Sequence, residues 1–326
     1  MDFPIGSILG FKRPCTFTNL LTPFPSLGRL DITFREDIGA STSASKLQKQ
    51  VHGQLQIIDA ILRDIHSSNL TSLSLNNTLA LPDDFLRSHS MEGLFASLAS
   101  LDVSFAFYNG AHYIADYRML LSPVRSDIAP YQSSDLPGPL SIFLWRLTHL
   151  KLGSTMETSC LATLDFTQLR CPNLESLAIE NMTFRRMDVA GSLENFILSH
   201  SALRKLALKD CMISFTGEWG PRYWSTMYDA IAKELTHLVE VYIEFGPIKF
   251  DRDAGGPEAW LEEGQEVQGL TSGYCEADTR GMEHRFFREY LYNPGVVAMD
   301  DAALRRLHAI VDERRRGLSG RDFKLP

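Results

Sequence analysis

One spacing of apolar residues, L-x-x-L-x-L, recurs along the chain from Leu27 to Ile243. The segments are PSLGRLDITF (Leu27, Leu30, Ile32), SNLTSLSLNN (Leu70, Leu73, Leu75), ASLASLDVSF (Leu98, Leu101, Val103) and WRLTHLKLGS (Leu147, Leu150, Leu152). PNLESLAIEN (Leu174, Leu177, Ile179), SALRKLALKD (Leu203, Leu206, Leu208) and THLVEVYIEF (Leu238, Val241, Ile243) complete the series. Successive residues of a strand point to opposite sides, so the last two apolar positions of each segment share one face. The residues between them share the other. Each segment therefore predicts a short strand with an apolar face that it cannot cover by itself.

The leading leucines lie 43, 28, 49, 27, 29 and 35 residues apart, and the intervals of 43 and 49 leave room for an insertion or a degenerate unit. Helical periodicity fills several intervals. Between Lys46 and His66, Leu47, Val51, Leu55, Ile58, Ile61, Leu62 and Ile65 fall on one helical face. Shorter helices are expected over Val189–Leu198 and Tyr223–Leu235, with Pro221 suited to the first turn of the latter. The sixth unit extends to L-x-x-L-x-L-x-x-C-x-I, ending at Cys211 and Ile213. In that place a Cys or Asn sits inside the turn against backbone groups, so Cys211 reads as structural. Strand, turn and helix, repeated, predict an α/β fold: a leucine-rich-repeat solenoid, with a curved parallel sheet, helices on its convex side and a C-terminal helical extension.

Three regions follow. Residues 1–245 form the repeat array, in which the proline-bearing stretch 108–141 is expected to loop out. Residues 246–278 are Gly-rich, with eight acids against Lys249 and Arg252, and read as an acidic linker or loop. Residues 279–326 reverse the sign, with ten basic and seven acidic residues, and helices are expected near Met282–Tyr292 and Asp300–Arg316. Acids at the start and arginines at the end of the second match the helix dipole. Its stripe of Leu304, Leu307, His308 and Val311 reads as a surface closing the array rather than one binding a partner.

A formal charge of -8 argues against a broad nucleic-acid-binding face, which calls for basic excess. No run approaches the ~20 apolar residues needed to span a bilayer. The opening MDFPIGSILGFKRP lacks a basic stretch before its apolar residues, and the five cysteines are odd in number with no C-x-x-C pair. These features predict reduced thiols and a cytoplasmic or nuclear location. The sequons at Asn69, Asn76 and Asn181 fall where repeat turns use Asn and Thr.

The lines CPNLESLAIENMTF and HSALRKLALKDCMISF, followed by a Trp-bearing helix and LTHLVEVYIEF, resemble the repeat region of fungal F-box proteins with leucine-rich repeats. Cys211, Trp219 or Trp224, and Val241 occupy the places that carry the likeness, which covers roughly residues 24–245. The resemblance implies the substrate-recognition arm of an SCF-type ubiquitin ligase, whose F-box docks on an adaptor. The F-box itself is not found: LPDDFL, Leu81–Leu86, lies between the second and third units and reads as a helix start with Asp83 and Asp84 at its positive end. Adaptor binding by this chain is therefore not expected.

Catalytic signatures are missing: no GxGxxG, GxxxxGK[ST], HExxH or GxSxG occurs. Ser43–Lys46 spells S-x-x-K by chance in a Ser-rich stretch, and the carboxylates after Asp251 lack the ligands of a calcium loop. His149 and His237 read as solvated. No catalytic residue, metal or cofactor is expected. The alternatives are an enzyme with its site in 108–141 or 246–278, or a degenerate structural paralogue. The favoured reading is a protein partner on the concave strand face, contacted by Lys151, Glu180, Lys205, Lys209, Tyr242 and Glu244.

Overall fold

A computed structural model describes residues 27–34, 44–64, 69–78, 89–105, 144–154, 169–184, 192–214, 222–245, 273–277, 283–285 and 294–319. Each of the seven apolar segments forms a strand. These are β1 (Arg29–Thr33), β2 (Ser72–Thr78), β3 (Ser100–Phe105), β4 (His149–Ser154), β5 (Ser176–Glu180), β7 (Lys205–Lys209) and β9 (Glu240–Glu244). They line up side by side, in that order, as one seven-stranded parallel sheet. The register keeps equivalent residues together: Leu73 opposite Leu101, Leu101 opposite Leu150, Leu150 opposite Leu177, Leu177 opposite Leu206 and Leu206 opposite Val241.

The units are equivalent in their hydrogen bonds as well as in their leucines. In each, the carbonyl just ahead of the strand accepts two consecutive N–H groups from the next unit. Thr71 O accepts from Ala99 and Ser100, Glu175 O from Arg204 and Lys205, and Arg204 O from Val239 and Glu240. The turn before the strand closes in the same way at Leu147→Leu144, Leu174→Cys171, Leu203→His200 and Leu238→Leu235. At the far end, Asn77, Asn181 and Asp210 each stand two residues past the last apolar position and adopt φ of 59°, 54° and 52°. Asn and Asp tolerate this left-handed region better than other side chains. The next residues, Thr78, Met182 and Cys211, are buried beneath the turn. The Cys211 thiol lies 3.4 Å from the carbonyls of Ile179 and Lys209.

Five helices occur among the described residues: α1 (Ala44–Asp64), α2 (His89–Ser97), α3 (Leu193–Ser199), α4 (Trp224–Glu234) and α5 (Pro294–Ser319). Ile58 of α1, Phe95 of α2, Ile197 of α3 and Ile231 of α4 join the inward leucines in one core. Burying one such side chain contributes roughly 1.5–3 kcal/mol, and the leading leucines from Leu70 to Leu238 are almost wholly buried. Ser192 caps α3 by accepting from the N–H of Asn195 at 3.1 Å. Helix α4 begins at Trp224 with Tyr223 as its N-cap residue, and Pro221 lies outside the described residues.

The C-terminal region corrects the sequence expectation in two places. Gly273–Ala277 (β10), at the end of the expected linker, is a strand, and so is Glu283–Arg285 (β11), where a helix over Met282–Tyr292 was anticipated. They join Thr183–Phe184 (β6) and Met212–Ser214 (β8) in a second sheet ordered β11-β10-β8-β6. The strands are too short to show a periodicity of their own; pairing across the sheet sets their conformation. The remaining residues of 108–141 and 246–272, and the LPDDFL motif, lie outside the described residues.

Helix α5 starts earlier than its sequence pattern suggested, and its buried stripe is Val296, Asp300, Ala303, Leu307 and Val311, with His308 exposed. It runs alongside α4 in the same direction. Asp300 accepts from the N–H of Ser225 at the start of α4, Arg306 pairs with Asp229 at 2.8 Å, and Arg314 donates to the carbonyls of Ala232 and Leu235 at its end. The helix thus packs against α4 and reaches β9, where Arg315 donates to the carbonyl of Val239, through a buried stripe that shares only Leu307 and Val311 with the one read from the sequence.

Candidate functional site

The sheet face turned away from the core presents three rows of side chains across the strands. The middle row runs Asp31, Ser74, Asp102, Lys151, Ala178, Ala207, Tyr242 in neighbouring register. From β1 to β3 the face carries mostly short polar side chains, with Asn76 bonded to Ser74 and Thr33 and with Arg29 paired to Asp31. From β4 to β9 it carries the long side chains. All six residues singled out from the sequence lie on this one face of four adjacent strands, because each sits an even number of positions from its strand's other outward residues.

Three of the six are held in ion pairs. Lys151 reaches diagonally to Glu180 at 2.9 Å, and Lys205 pairs with Glu240 in the next strand at 2.8 Å. Tyr242 donates its hydroxyl to Glu244, and that carboxylate, accepting the bond, holds the phenol above its ordinary range. Lys209 lies between Glu180 and Glu244 in register, yet makes no ion pair within 4 Å among the described residues. Gly153 explains the diagonal contact: a Cβ there would stand 3.3 Å from that of Glu180, so glycine leaves room for Glu180 to lean toward β4. Pairs this exposed contribute at most about 1 kcal/mol each.

Asp102 is the costly member of the face. Its Oδ1 is buried without a hydrogen-bond partner. Burial pushes its carboxyl above the ordinary value of 3.8, Lys151 opposes this, and Glu180 and Asp31 add to it.

The chain matches no protein-family model, and no curated protein matches it. Its reading therefore rests on geometry.

Between Lys151 and Tyr242 the middle row holds only Ala178 and Ala207, so the long side chains surround a shallow apolar floor. Tyr242 is 52% exposed, one of the few large apolar side chains on the described surface left so open. Choosing reach and charge from the sequence picked out the rim and passed over the floor. The signal that would have found it is the pair of alanines at the same place in LESLAIE and LRKLALK.

Other reactive groups are placed differently. Burial pushes the Cys171 and Cys211 thiols up to about 12, which keeps them protonated and unreactive at neutral pH. His149 shares a 2.8 Å hydrogen bond with Thr148, and burial lowers the pKa of His200 against the end of α3. Among the described residues, no group of three or more His, Cys, Asp or Glu is placed to hold a metal ion, and no helix is long and apolar enough to cross a membrane.

Proposed function

We propose that this chain is a leucine-rich-repeat protein whose outward face, over β4, β5, β7 and β9, binds another protein. Seven units with the same leucine placement and the same shared-carbonyl hydrogen bonds support the repeat assignment, in which the sheet curves with its helices on the convex side. The observation that carries the binding reading is the exposed Tyr242 beside an alanine floor ringed by lysines and glutamates. Aromatic residues lead among binding hot spots, and charges around them set on-rate and specificity. The likeness to the repeat region of fungal F-box proteins supports target recognition in a ubiquitin ligase as one form of this role, although no F-box is recognised in the sequence.

The test is a partner captured from the native cytosol and then measured against purified variants. Tyr242→Ala combined with Lys209→Glu is expected to weaken its binding at least tenfold, a loss of about 1.4 kcal/mol or more. The melting temperature should stay unchanged, because both side chains are exposed. Undiminished affinity in the double variant would remove the site from this face.

A further inference from the structure

We propose that the hollow over Ala178 and Ala207 receives an apolar side chain, aromatic or branched, from the partner, and that a neighbouring partner carboxylate engages Lys209. This inference rests on the reading of the face as a protein-binding surface and specifies its chemistry. The dimensions come from the strands. Lys151 and Tyr242 stand three strand spacings apart, about 14 Å, and the rows above and below the alanines are about 13 Å apart. That span, floored by two methyl groups, admits one large side chain, with the Tyr242 ring as an apolar wall.

The charge assignment follows from which groups are already engaged. Glu180 is held by Lys151, Glu240 by Lys205 and Glu244 by Tyr242. Lys209 remains, on the strand that supplies Ala207 and two residues beyond it. A group bound there must be an anion. Glu180 and Glu244 flank Lys209 in register, so a phosphate carrying roughly -1.5 to -2 would face two carboxylates, whereas a single carboxylate meets less of that repulsion. The same two acids, with Asp31, Asp102 and Glu240 elsewhere on the face, disfavour a nucleic-acid backbone.

A library of short random peptides, selected against the full 326-residue chain, tests this. Wild-type protein is expected to enrich peptides with an aromatic or branched aliphatic residue within two positions of Asp or Glu. These peptides should bind Ala207→Trp, which fills the hollow, at least tenfold more weakly. Selection against Lys209→Glu should exchange the acid for Lys or Arg. Should Ala207→Trp melt lower than wild type, Ala178→Trp fills the same floor from the neighbouring strand. Failure to enrich any peptide that prefers wild type over both tryptophan variants, or enrichment without the acid, would overturn the inference. Peptides indifferent to Ala207→Trp but lost on Glu240→Lys would overturn the hollow and leave the binding face standing. Peptides indifferent to all of these variants would overturn both.

Discussion

Asp102 and Asp300 show how one residue type serves opposite ends. Each is an aspartate whose carboxyl burial pushes upward, but Asp300 accepts from Tyr274 and from the N–H of Ser225, whereas Oδ1 of Asp102 has no partner. For Asp102 the consequence depends on pH. Below its ordinary value of 3.8 the carboxyl is neutral in both folded and unfolded chains. As pH rises the unfolded chain releases its proton first, so the folded state loses stability until pH passes the raised folded value. Comparing urea unfolding of wild type and Asp102→Asn from acid to neutral pH should therefore show the wild type losing ground to the variant as pH rises. A difference independent of pH would mean that folding leaves the Asp102 carboxyl at its unfolded value. From the sequence Asp102 is only an outward strand position; that it stands between Ser74 and Lys151 in neighbouring strands is something a single strand cannot show.

At the scale of the element, the repeat unit and the clamp on α4 behave differently. Leu206 lies in β7, 2% exposed, with Leu177 and Val241 beside it in register. Leu206→Asp would bury an unpaired carboxylate, and chemical unfolding should report a loss of several kcal/mol. An unchanged transition would mean that β7 is set in the wrong register. Helix α4, by contrast, has no cap from its own N-cap residue, Tyr223. Its first N–H groups go instead to Tyr274 from β10, at 3.1 Å from the Trp224 nitrogen, and to Asp300 from α5. Asp300→Ala removes a cap and leaves the Tyr274 hydroxyl without its acceptor, so equilibrium unfolding should show a loss of about 2–3 kcal/mol. A smaller loss, equal to that of Tyr274→Phe alone, would assign the effect to the tyrosine. Helices α1, α3 and α4 were legible from their apolar spacing, and the caps of α4 were not, because the groups that make them come from residues 50 and 75 positions away.

For the whole molecule, the parallel sheet is one continuous surface built from seven separated segments. The resemblance to F-box proteins and the LPDDFL segment between β2 and β3 lead to a specific expectation. Purified chain should show no saturable binding to a ubiquitin-ligase adaptor at low micromolar concentration, measured by calorimetry, because that segment leads into α2 and the third unit. Saturable binding would assign a docking role to a segment that reads as part of the array. The face over β4 to β9 is the counterpart of this expectation: its rim was legible in the long outward residues, while its floor emerged only when Ala178 and Ala207 came into register.

What the sequence determined by itself was the strand pattern. A leucine spacing repeated seven times dictates which residues turn inward, and burial of each apolar pair outweighs the local preferences of the residues between them. Asn77, Asn181 and Asp210 were likewise at home in their turns for reasons local to the chain. Tertiary structure decided the rest. Strands β6 and β11, of two and three residues, carry too little pattern to declare themselves, and β10 lacks the leucine spacing of the main sheet; all three form where a neighbouring strand offers hydrogen bonds. The ion pairs of the outer face, the unpaired Lys209 and the hollow beside Tyr242 depend on the order of the strands, which places residues tens of positions apart within one strand spacing.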